Sequence, residues 1–350
     1  MAVSDDILNA LTAHEVGLQR LSNASVRKLL AMLRRSDARI IERLLQEDVS
    51  ALSRSRQEAL LTDIRRIIGS AYADGTGELQ VNLRRLAEYE GQYQIDMFRH
   101  VVPVKLDFIL PSADQPWAAV NARPFQGRLL KDWFTELEAG SFQRLRNTIR
   151  AGIVEGRTID QLVREVRGTA AQGFQDGILQ VNRRAAEATV RTAVSHTANA
   201  ARDRLYERNG GLIKGVQWVS TLDGRTSAVC RARDGTVYPV DSGPRPPAHP
   251  NCRSSTVPVL KSLREMGIDR DMPAATRASM NGQVASDTTY DAWLRKQPRE
   301  FQDEVLGKSK ADLFRAGLTM DRYVTRAGDE YTLAELKKRE AATWSKAFQN

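Results

Sequence analysis

The sequence feature that most constrains the fold is a repeat of apolar side chains every three or four residues. The repeat is present between Ser25 and Val49 and again between Leu60 and Ala71. This spacing places apolar side chains on one stripe of a helix. The opposite faces are rich in arginine, so each helix needs a partner to cover its stripe. We therefore predict a helical arm or bundle over residues 1–125.

Glycine and proline indicate where the helical pattern changes. Asp74-Gly-Thr-Gly77 is predicted to interrupt the second helix, and Leu79–Phe98 to be helical again. The segment from His100 to Gln126 contains four prolines and favours a short strand or an extended crossover. Helical spacing resumes from about Gly127 to Glu155, and Thr158-Ile-Asp-Gln161 fits a capping box at the start of a short helix.

The clearest helix is predicted from Leu179 to Arg208, and Asn209-Gly210-Gly211 is expected to end it. Beyond it, β-branched residues at 213–220 and 236–240 favour two strands, and four prolines between Gly243 and Pro250 exclude a helix. The predicted fold class is mainly α with a small α+β module. Its parts are 126–260 as the α+β module, 261–286 as a linker, and 287–350 as a helical tail that Thr288 and a Thr332–Glu335 capping box help to form.

Three side chains in the proline-rich region suggest a metal site. Cys230, His249 and Cys252 follow the pattern C-x18-H-x2-C. Two thiolates and one imidazole suit zinc, and Asp223 or Asp234 is a candidate for a fourth ligand. Buried thiols, a disulfide, and a reactive cysteine activated by His249 or His196 are alternative interpretations. The paired C-x2-C of specific zinc motifs is absent from the sequence.

The formal net charge of +9 favours contact with polyanions, nucleic acid first. The long helix carries a basic flank that predicts phosphate contact without reading of bases. Its candidate residues are Arg183, Arg184, Arg191, Arg202 and Arg204. The alternative is a solvated face paired with neighbouring acids. No signal peptide or apolar run of membrane-spanning length is visible, so we expect a chain made in a cytosol.

The order and spacing of one group of residues, at about 140–260, is similar to the phage head morphogenesis family, the Mu F-like minor head proteins. The residues that carry this resemblance are Arg191, Thr192, Asn199, Trp218, Asp223, Arg225, Thr226, Cys230, Asp234, Gly235, His249, Pro250 and Cys252. Many relatives have C-x2-C and then H-P-x-C-R-C, whereas this chain has Ser227 and Ser254 at the outermost cysteine positions. The resemblance therefore implies a reduced set of metal ligands here.

The resemblance implies a non-enzymatic minor structural protein of a tailed-phage head. Such a protein would associate with the portal protein, contribute to head assembly and to DNA packaging or ejection, and contact double-stranded DNA without sequence preference. It would be assembled in the bacterial cytoplasm and lie in the virion, in the head interior or at the portal vertex, beside other head proteins and away from membranes. The alternatives are a metal-dependent or toxin-like enzyme carried in the head, and an assembly factor that never enters particles.

Overall fold

The computed structural model describes residues 5–47, 53–102, 105–262, 264–267 and 276–348. It confirms a mainly α fold with a small β component. The helices are α1 (Asp5–Leu45), α2 (Arg54–Val101), α3 (Asp114–Ala122), α4 (Leu130–Val154), α5 (Ile159–Arg167), α6 (Ile178–Arg208), α7 (Ala228–Arg233), α8 (Tyr290–Arg295), α9 (Arg299–Leu306), α10 (Lys308–Arg315), α11 (Leu333–Arg339) and α12 (Ala341–Phe348). The strands are β1 (Ile213–Val219), β2 (Val237–Tyr238), β3 (Ser255–Leu260), β4 (Thr276–Ser279) and β5 (Gly282–Ala285).

The chain forms two compact units from segments that are far apart in sequence. Unit 1 contains Met1–Val16, Tyr89–Pro116 and Ala198–Asn350, and unit 2 contains Gly17–Glu88 and Trp117–Thr197. The sequence-based boundaries after residues 125 and 260 divide the chain into consecutive ranges, and they stay a prediction. No described helix combines the length and the hydrophobicity that a membrane span requires.

Unit 1 contains an antiparallel sheet with the order β2-β1-β3. In the register of β1 with its neighbours, Val216 lies opposite Tyr238 on β2 and Trp218 lies opposite Thr256 on β3. Apolar side chains of the sheet, of α6 and of the end of α2 share one core, which includes Val216, Val257, Leu205, Phe98 and Ile95. A second core joins Leu222 to the carboxyl-terminal helices, with Trp293 and Phe314 near its centre.

Helix α2 is continuous, so the predicted interruption at Asp74–Gly77 is wrong. Gly75 instead permits close packing inside unit 2, because a Cβ atom there would lie 2.3 Å from Cδ1 of Leu29 on α1. The carboxyl-terminal end of the first predicted helix cannot be compared with the structure. Helix α1 ends at Leu45, and the predicted end at Val49 lies outside the described residues.

The predicted extended crossover at 100–126 is only partly correct. Residues 105–112 lack regular structure, but α3 follows, with Pro116 in its first turn, where a missing N–H costs nothing. The predicted linker at 261–286 contains the β4–β5 hairpin, although residues 263 and 268–275 lie outside the described residues. The hairpin belongs to unit 1 because Arg277 is buried against Asp234.

The predicted helix caps depend on local sequence, and most are confirmed. Thr158 and Thr332 each accept a hydrogen bond from the backbone N–H three residues later and complete capping boxes. At the start of α8, Thr289 is the cap, one residue later than predicted. Helix α9 ends at Gly307, which has φ +76°.

Candidate functional site

Cys230, His249 and Cys252 lie together in unit 1. Their Sγ and imidazole nitrogen atoms all fall within 4.8 Å of one another. The two Sγ atoms are 3.6 Å apart, and Sγ of Cys230 is 3.3 Å from Nε2 of His249. Both cysteines are free and almost completely buried. The sequence therefore correctly placed these three residues in one cluster, although it could not show that the two sulfurs approach each other.

The scaffold behind the cluster is a set of buried polar contacts. Ser220 Oγ accepts a hydrogen bond from Nε1 of Trp218, at 3.0 Å, and donates one to the carbonyl oxygen of Cys230, at 2.9 Å. Ser220 Oγ also lies 3.0 Å from Oγ of Ser254, on the strand side of Cys252. The ring of Trp218 packs against both cysteines. These contacts fix the two ends of the proline-rich loop.

His249 is oriented by its own segment. Its Nδ1 lies 2.9 Å from the carbonyl oxygen of Pro250, which leaves Nε2 to face Cys230 and the hydroxyl of Ser227. Ser227 immediately precedes α7, and its Oγ lies 2.7 Å from Nε2 of His249. A carbonyl that accepts from one ring nitrogen fixes the tautomer that presents the other nitrogen, an arrangement typical of metal-binding histidines.

Electrostatics favours a negative charge on the sulfur pair. The hydrogen bond from Cys230, aided by His249, lowers the pKa of the Cys252 thiol, while the same contact and burial raise the pKa of Cys230. The pKa of His249 is raised, chiefly by its hydrogen bond to Cys252. The cluster thus shares its protons unequally, with thiolate character on Cys252.

The donor set fits zinc in both chemistry and spacing. Tetrahedral zinc with Zn–S of about 2.3 Å and Zn–N of about 2.0 Å places its ligand atoms roughly 3.5–3.8 Å apart. The sulfur–sulfur distance is 3.6 Å, and the Cys230 sulfur–imidazole distance is 3.3 Å. The three side chains need little movement to become ligands.

Asp223 is held away from the metal cluster. Its carboxylate accepts two hydrogen bonds from the Arg253 guanidinium, both 2.7 Å long, and one from the Arg225 backbone N–H. Burial works against its ionisation, but Arg253 outweighs burial and lowers the pKa of the carboxyl. The three-residue cluster does not include Asp223, so its predicted role as fourth ligand is not supported.

Asp234 is likewise engaged elsewhere. It accepts hydrogen bonds from Arg277 and from the backbone N–H groups of Ser220 and Tyr290. His196 lies in unit 2, where its ring bonds to the carbonyl oxygen of Val120. It therefore contacts a backbone carbonyl and not one of the two cysteines. The structure adds the side chain of Ser227 to the cluster. Ser227 occupies a position where the similar family has a cysteine.

The space beside the cluster is too small for a substrate. The cavity lined by Thr226, Ser227, Cys230, His249 and Arg253 has a volume of about 20 Å³. Pockets that hold small-molecule ligands usually measure about 300–1,000 Å³. The cavity beside the cluster is therefore much smaller than a typical ligand pocket.

The predicted basic flank of α6 is not one surface, because Arg202 is completely buried. Its Nε donates to Oε1 of Glu90 at 2.9 Å, and its Nη2 to Oε1 of Glu15 at 3.1 Å. Burial opposes both charges, yet the ion pairs prevail, raising the pKa of Arg202 and lowering that of Glu90. We therefore remove Arg202 from the candidate nucleic-acid contacts and assign it to the core of unit 1.

The other four candidate arginines differ in their exposure and in their hydrogen-bond partners. Arg183 pairs with Asp37, Arg191 with Glu187, and Arg204 with Glu207. Arg184 is exposed and donates to the side-chain oxygen of Gln175. Only Arg184 of this set presents a fully exposed charge without an acidic partner in the described part of the chain.

The remaining residues of the resemblance have structural roles. Gly235 adopts φ +81° and donates its N–H to the carbonyl of Trp218. Thr226 donates to the carbonyl of Thr221 at 2.5 Å. Thr192 donates to Ala188 on its own helix, and Asn199 is buried on the same helix. Gly235 and Thr226 thus support the loops of unit 1, whereas Thr192 and Asn199 belong to α6.

Comparison with known proteins gives a match to one family over part of the chain. Residues 143–257 match the family model described as Phage Mu protein F like protein. This range contains α6, β1, β2, the start of β3 and all three residues of the cluster. No curated protein and no solved structure gives a significant match to the chain.

Proposed function

On the premise that residues 143–257 are a Phage Mu protein F-like region, we propose that this protein is a minor structural component of a tailed-phage head. The family match carries the proposal, and it supports a role in head morphogenesis and a place in the virion. Docking on the portal protein, contact with other head proteins, and a contribution to DNA packaging or ejection are the finer parts of the proposal.

We propose a structural role in place of an enzymatic one. The family motif supplies buried contacts around the thiols, and the adjacent cavity of about 20 Å³ has no room for a substrate. An enzyme carried in the head is the competing function, and it would need an open position at the cluster.

Quantitative mass spectrometry of purified, nuclease-treated particles tests the proposal. We expect a few intact copies of the chain in each particle. If the chain is found in the infected-cell lysate and is missing from particles, the virion assignment fails and an assembly factor or an enzyme takes its place.

We further propose that Cys230, Cys252 and His249 bind a structural zinc ion. The spacing of the three donor atoms and the lowered pKa of Cys252 support this assignment. A bound ion would hold the proline-rich loop, which carries His249 and Cys252, to α7, which carries Cys230. Because the thiols must lose protons, binding should weaken as the pH falls.

Elemental analysis of the purified protein tests this zinc site. We expect about one zinc ion per chain, and its loss in His249→Ala and Cys252→Ser variants. Thr221→Ser, a substitution beside the cluster, serves as the matched control and should keep the metal. Equal zinc content in all four proteins, or none in the wild type, would contradict the proposal.

Contact with packaged DNA is the third part of the proposal, and the net charge of +9 supports it. Arg184 is available directly, whereas Arg183, Arg191 and Arg204 would have to exchange an acidic partner for phosphate. Affinity for duplex DNA should fall steeply between about 50 and 200 mM salt, because phosphate contacts release counterions. An affinity that is insensitive to salt would exclude this mode of contact.

A further inference from the structure

A groove in unit 2 lies between the second half of α1 and the segment from Arg167 to Arg183. It has a volume of about 750 Å³. Ala38, Ile41 and Leu45 line it from α1, and Phe174 and Leu179 line it from the other side. Leu45 is 54% exposed and Phe174 is 39% exposed. Apolar side chains are thus open to solvent at a concave surface, which is typical of binding sites.

Phe174 lines the groove from a loop in which its own backbone conformation is unfavourable. Phe174 has φ +60°, a left-handed conformation that a bulky residue rarely adopts. Its N–H donates to the carbonyl of Thr169 at 2.8 Å, and Asp176 accepts two hydrogen bonds from Thr169, both 2.9 Å long. Strain that is fixed by surrounding contacts at an exposed aromatic side chain points to a function for that side chain.

The groove carries more positive than negative charge. Arg34 and Arg167 line it, and neither forms an ion pair within the described part of the chain. The Arg167 guanidinium lies 5.2 Å from the ring centre of Phe174. Arg183 and Asp37 neutralise each other, and Glu42 is the remaining acidic side chain of the lining. The groove therefore favours an occupant with carboxylates beside its apolar side chains.

Arg34 is also the last member of a row on α1. Arg20, Arg27 and Arg34 are seven residues apart and all exposed. At 100° and 1.5 Å per residue, they lie on one face of the helix, about 10.5 Å apart. The buried residues Leu18, Leu29 and Ile40 lie on the opposite face. We call Arg20, Arg27, Arg34, Ala38, Ile41 and Leu45 the outer face of α1.

The arginines of this row are unpaired in the described residues, in contrast to their neighbours. Lys28, next to Arg27, pairs with Glu78 of α2, and Arg43 pairs with Glu47 and Asp63. Arg20, Arg27 and Arg34 form no salt bridge with a described residue. Asp37 is the acid that acts on the row, because burial raises its carboxyl pKa and the charge of Arg34 helps to lower it. Such a surface is complementary to a partner with regularly spaced acids.

We propose that the outer face of α1 binds an acidic amphipathic helix of a partner protein. A helix packed alongside α1 presents side chains every seven residues, which matches the repeat of Arg20, Arg27 and Arg34. Ala38, Ile41 and Leu45 follow the i, i+3, i+7 spacing of anchors that a helix in a groove buries. Duplex DNA matches the charge but would leave the apolar groove uncovered, so the observations favour a protein helix.

Fluorescence anisotropy with the full chain tests the proposal. The probes are a labelled helical peptide of three heptads with a leucine stripe flanked by glutamate, the same peptide with lysine in place of glutamate, and a labelled DNA duplex. We expect the acidic peptide to bind, and the combined Arg20→Glu, Arg27→Glu, Arg34→Glu substitution to weaken it by about tenfold or more. Leu45→Glu should also weaken it, because it removes an apolar anchor.

The matched control reverses three exposed arginines elsewhere, through Arg299→Glu, Arg322→Glu and Arg326→Glu, and should change binding by less than about twofold. Circular dichroism melting checks that both triple variants are folded. Equal binding of the two peptides, equal loss in both triple variants, or no peptide binding would overturn the proposal. If the row is needed for DNA and the acidic peptide does not bind, the surface is a phosphate site and the proposal is wrong.

Discussion

Arg202 and Arg184 lie on the same helix and show how the surroundings of one residue type decide its role. Arg202 is completely buried and donates to Glu90, Glu15 and the carbonyl of Thr256. Arg184 is exposed and contacts Gln175. In a buried ion pair, the attraction between the two charges offsets the hydration that each has lost. Removing one partner leaves the other charge buried with no such compensation.

Arg202→Ala should therefore lower the free energy of unfolding by about 3–5 kcal/mol, since it leaves the Glu90 carboxylate buried without its main partner. Urea unfolding monitored by circular dichroism measures the change. Arg184→Ala is the matched control and should stay within about 0.5 kcal/mol of the wild type. Similar losses in the two variants would show that Arg202 is not the centre of a buried network.

His196 should give unit 2 a measurable pH dependence. Burial lowers its pKa from 6.5 to about 4, although the hydrogen bond to Val120 opposes the change. The unfolded chain therefore takes up a proton as the pH falls from about 6.5, while the folded chain resists until about pH 4. Folding stability is lost over this window by about 3 kcal/mol.

A His196→Gln variant keeps a donor for the Val120 carbonyl and cannot titrate. The difference in unfolding free energy between the wild type and this variant should shrink by about 3 kcal/mol between pH 7 and pH 4. Urea titrations at several pH values measure it. A difference that does not change with pH would mean that His196 keeps an ordinary pKa.

At the scale of elements, α2 shows why glycine is ambiguous in a sequence. Asp74-Gly-Thr-Gly77 has the composition of a turn, yet α2 continues through it for 48 residues in all. Gly75 allows Leu29 of α1 to approach closely, whereas a Cβ at Gly77 would meet no atom within 4 Å. The first glycine serves packing between helices, and the second has no such contact.

These two glycines predict opposite responses to alanine. Gly77→Ala should raise the free energy of unfolding by about 0.5–1 kcal/mol, because alanine favours the helix. Gly75→Ala should be less stable than Gly77→Ala by about 1–3 kcal/mol, because the new methyl group displaces the buried Leu29 side chain. Thermal unfolding of both variants measures the difference, and equal effects would contradict the close packing of α1 on α2.

Elements that depend on nearby residues were predictable from the sequence, and elements that depend on distant ones were not. The capping boxes at Thr158 and Thr332 and the end of α6 at Asn209 follow from side chains within a few positions. The β4–β5 hairpin depends on Arg277, whose partner Asp234 is 43 positions away. The thiol cluster was predictable because zinc chemistry limits its residue types, whereas burial of Arg202 requires Glu90, 112 positions away.

For the whole molecule, Asp234 joins parts of unit 1 that are distant in sequence. Its carboxylate receives the Ser220 N–H beside the thiol cluster, the Tyr290 N–H at the start of α8, and both Nη atoms of Arg277. The carboxyl-terminal helices share a core with Leu222 of the sheet region. These helices therefore belong to the body of unit 1.

Arg277→Ala should lower the free energy of unfolding by about 3–5 kcal/mol, because Asp234 is then buried with no cation. Hydrogen exchange should increase in both the hairpin and the residues around Ser220, since one carboxylate connects them. Lys310→Ala removes a partly exposed ion pair with Glu330 and serves as the control, with a change below about 1 kcal/mol. Faster exchange confined to the hairpin would show that the two regions are independent.

The contact between Ser255 and Glu15 has a consequence for synthesis of the protein. Ser255 donates to a carboxylate oxygen of Glu15 at 2.8 Å, across 240 positions of the chain. At a translation rate of roughly 5–20 residues per second, the ribosome needs about 12–48 s to make the intervening chain. For most of that interval Glu15 lacks Arg202, and β3 is made only at its end. The amino-terminal helix must therefore wait in a solvated, incomplete state, and unit 1 can close only late in translation or after release.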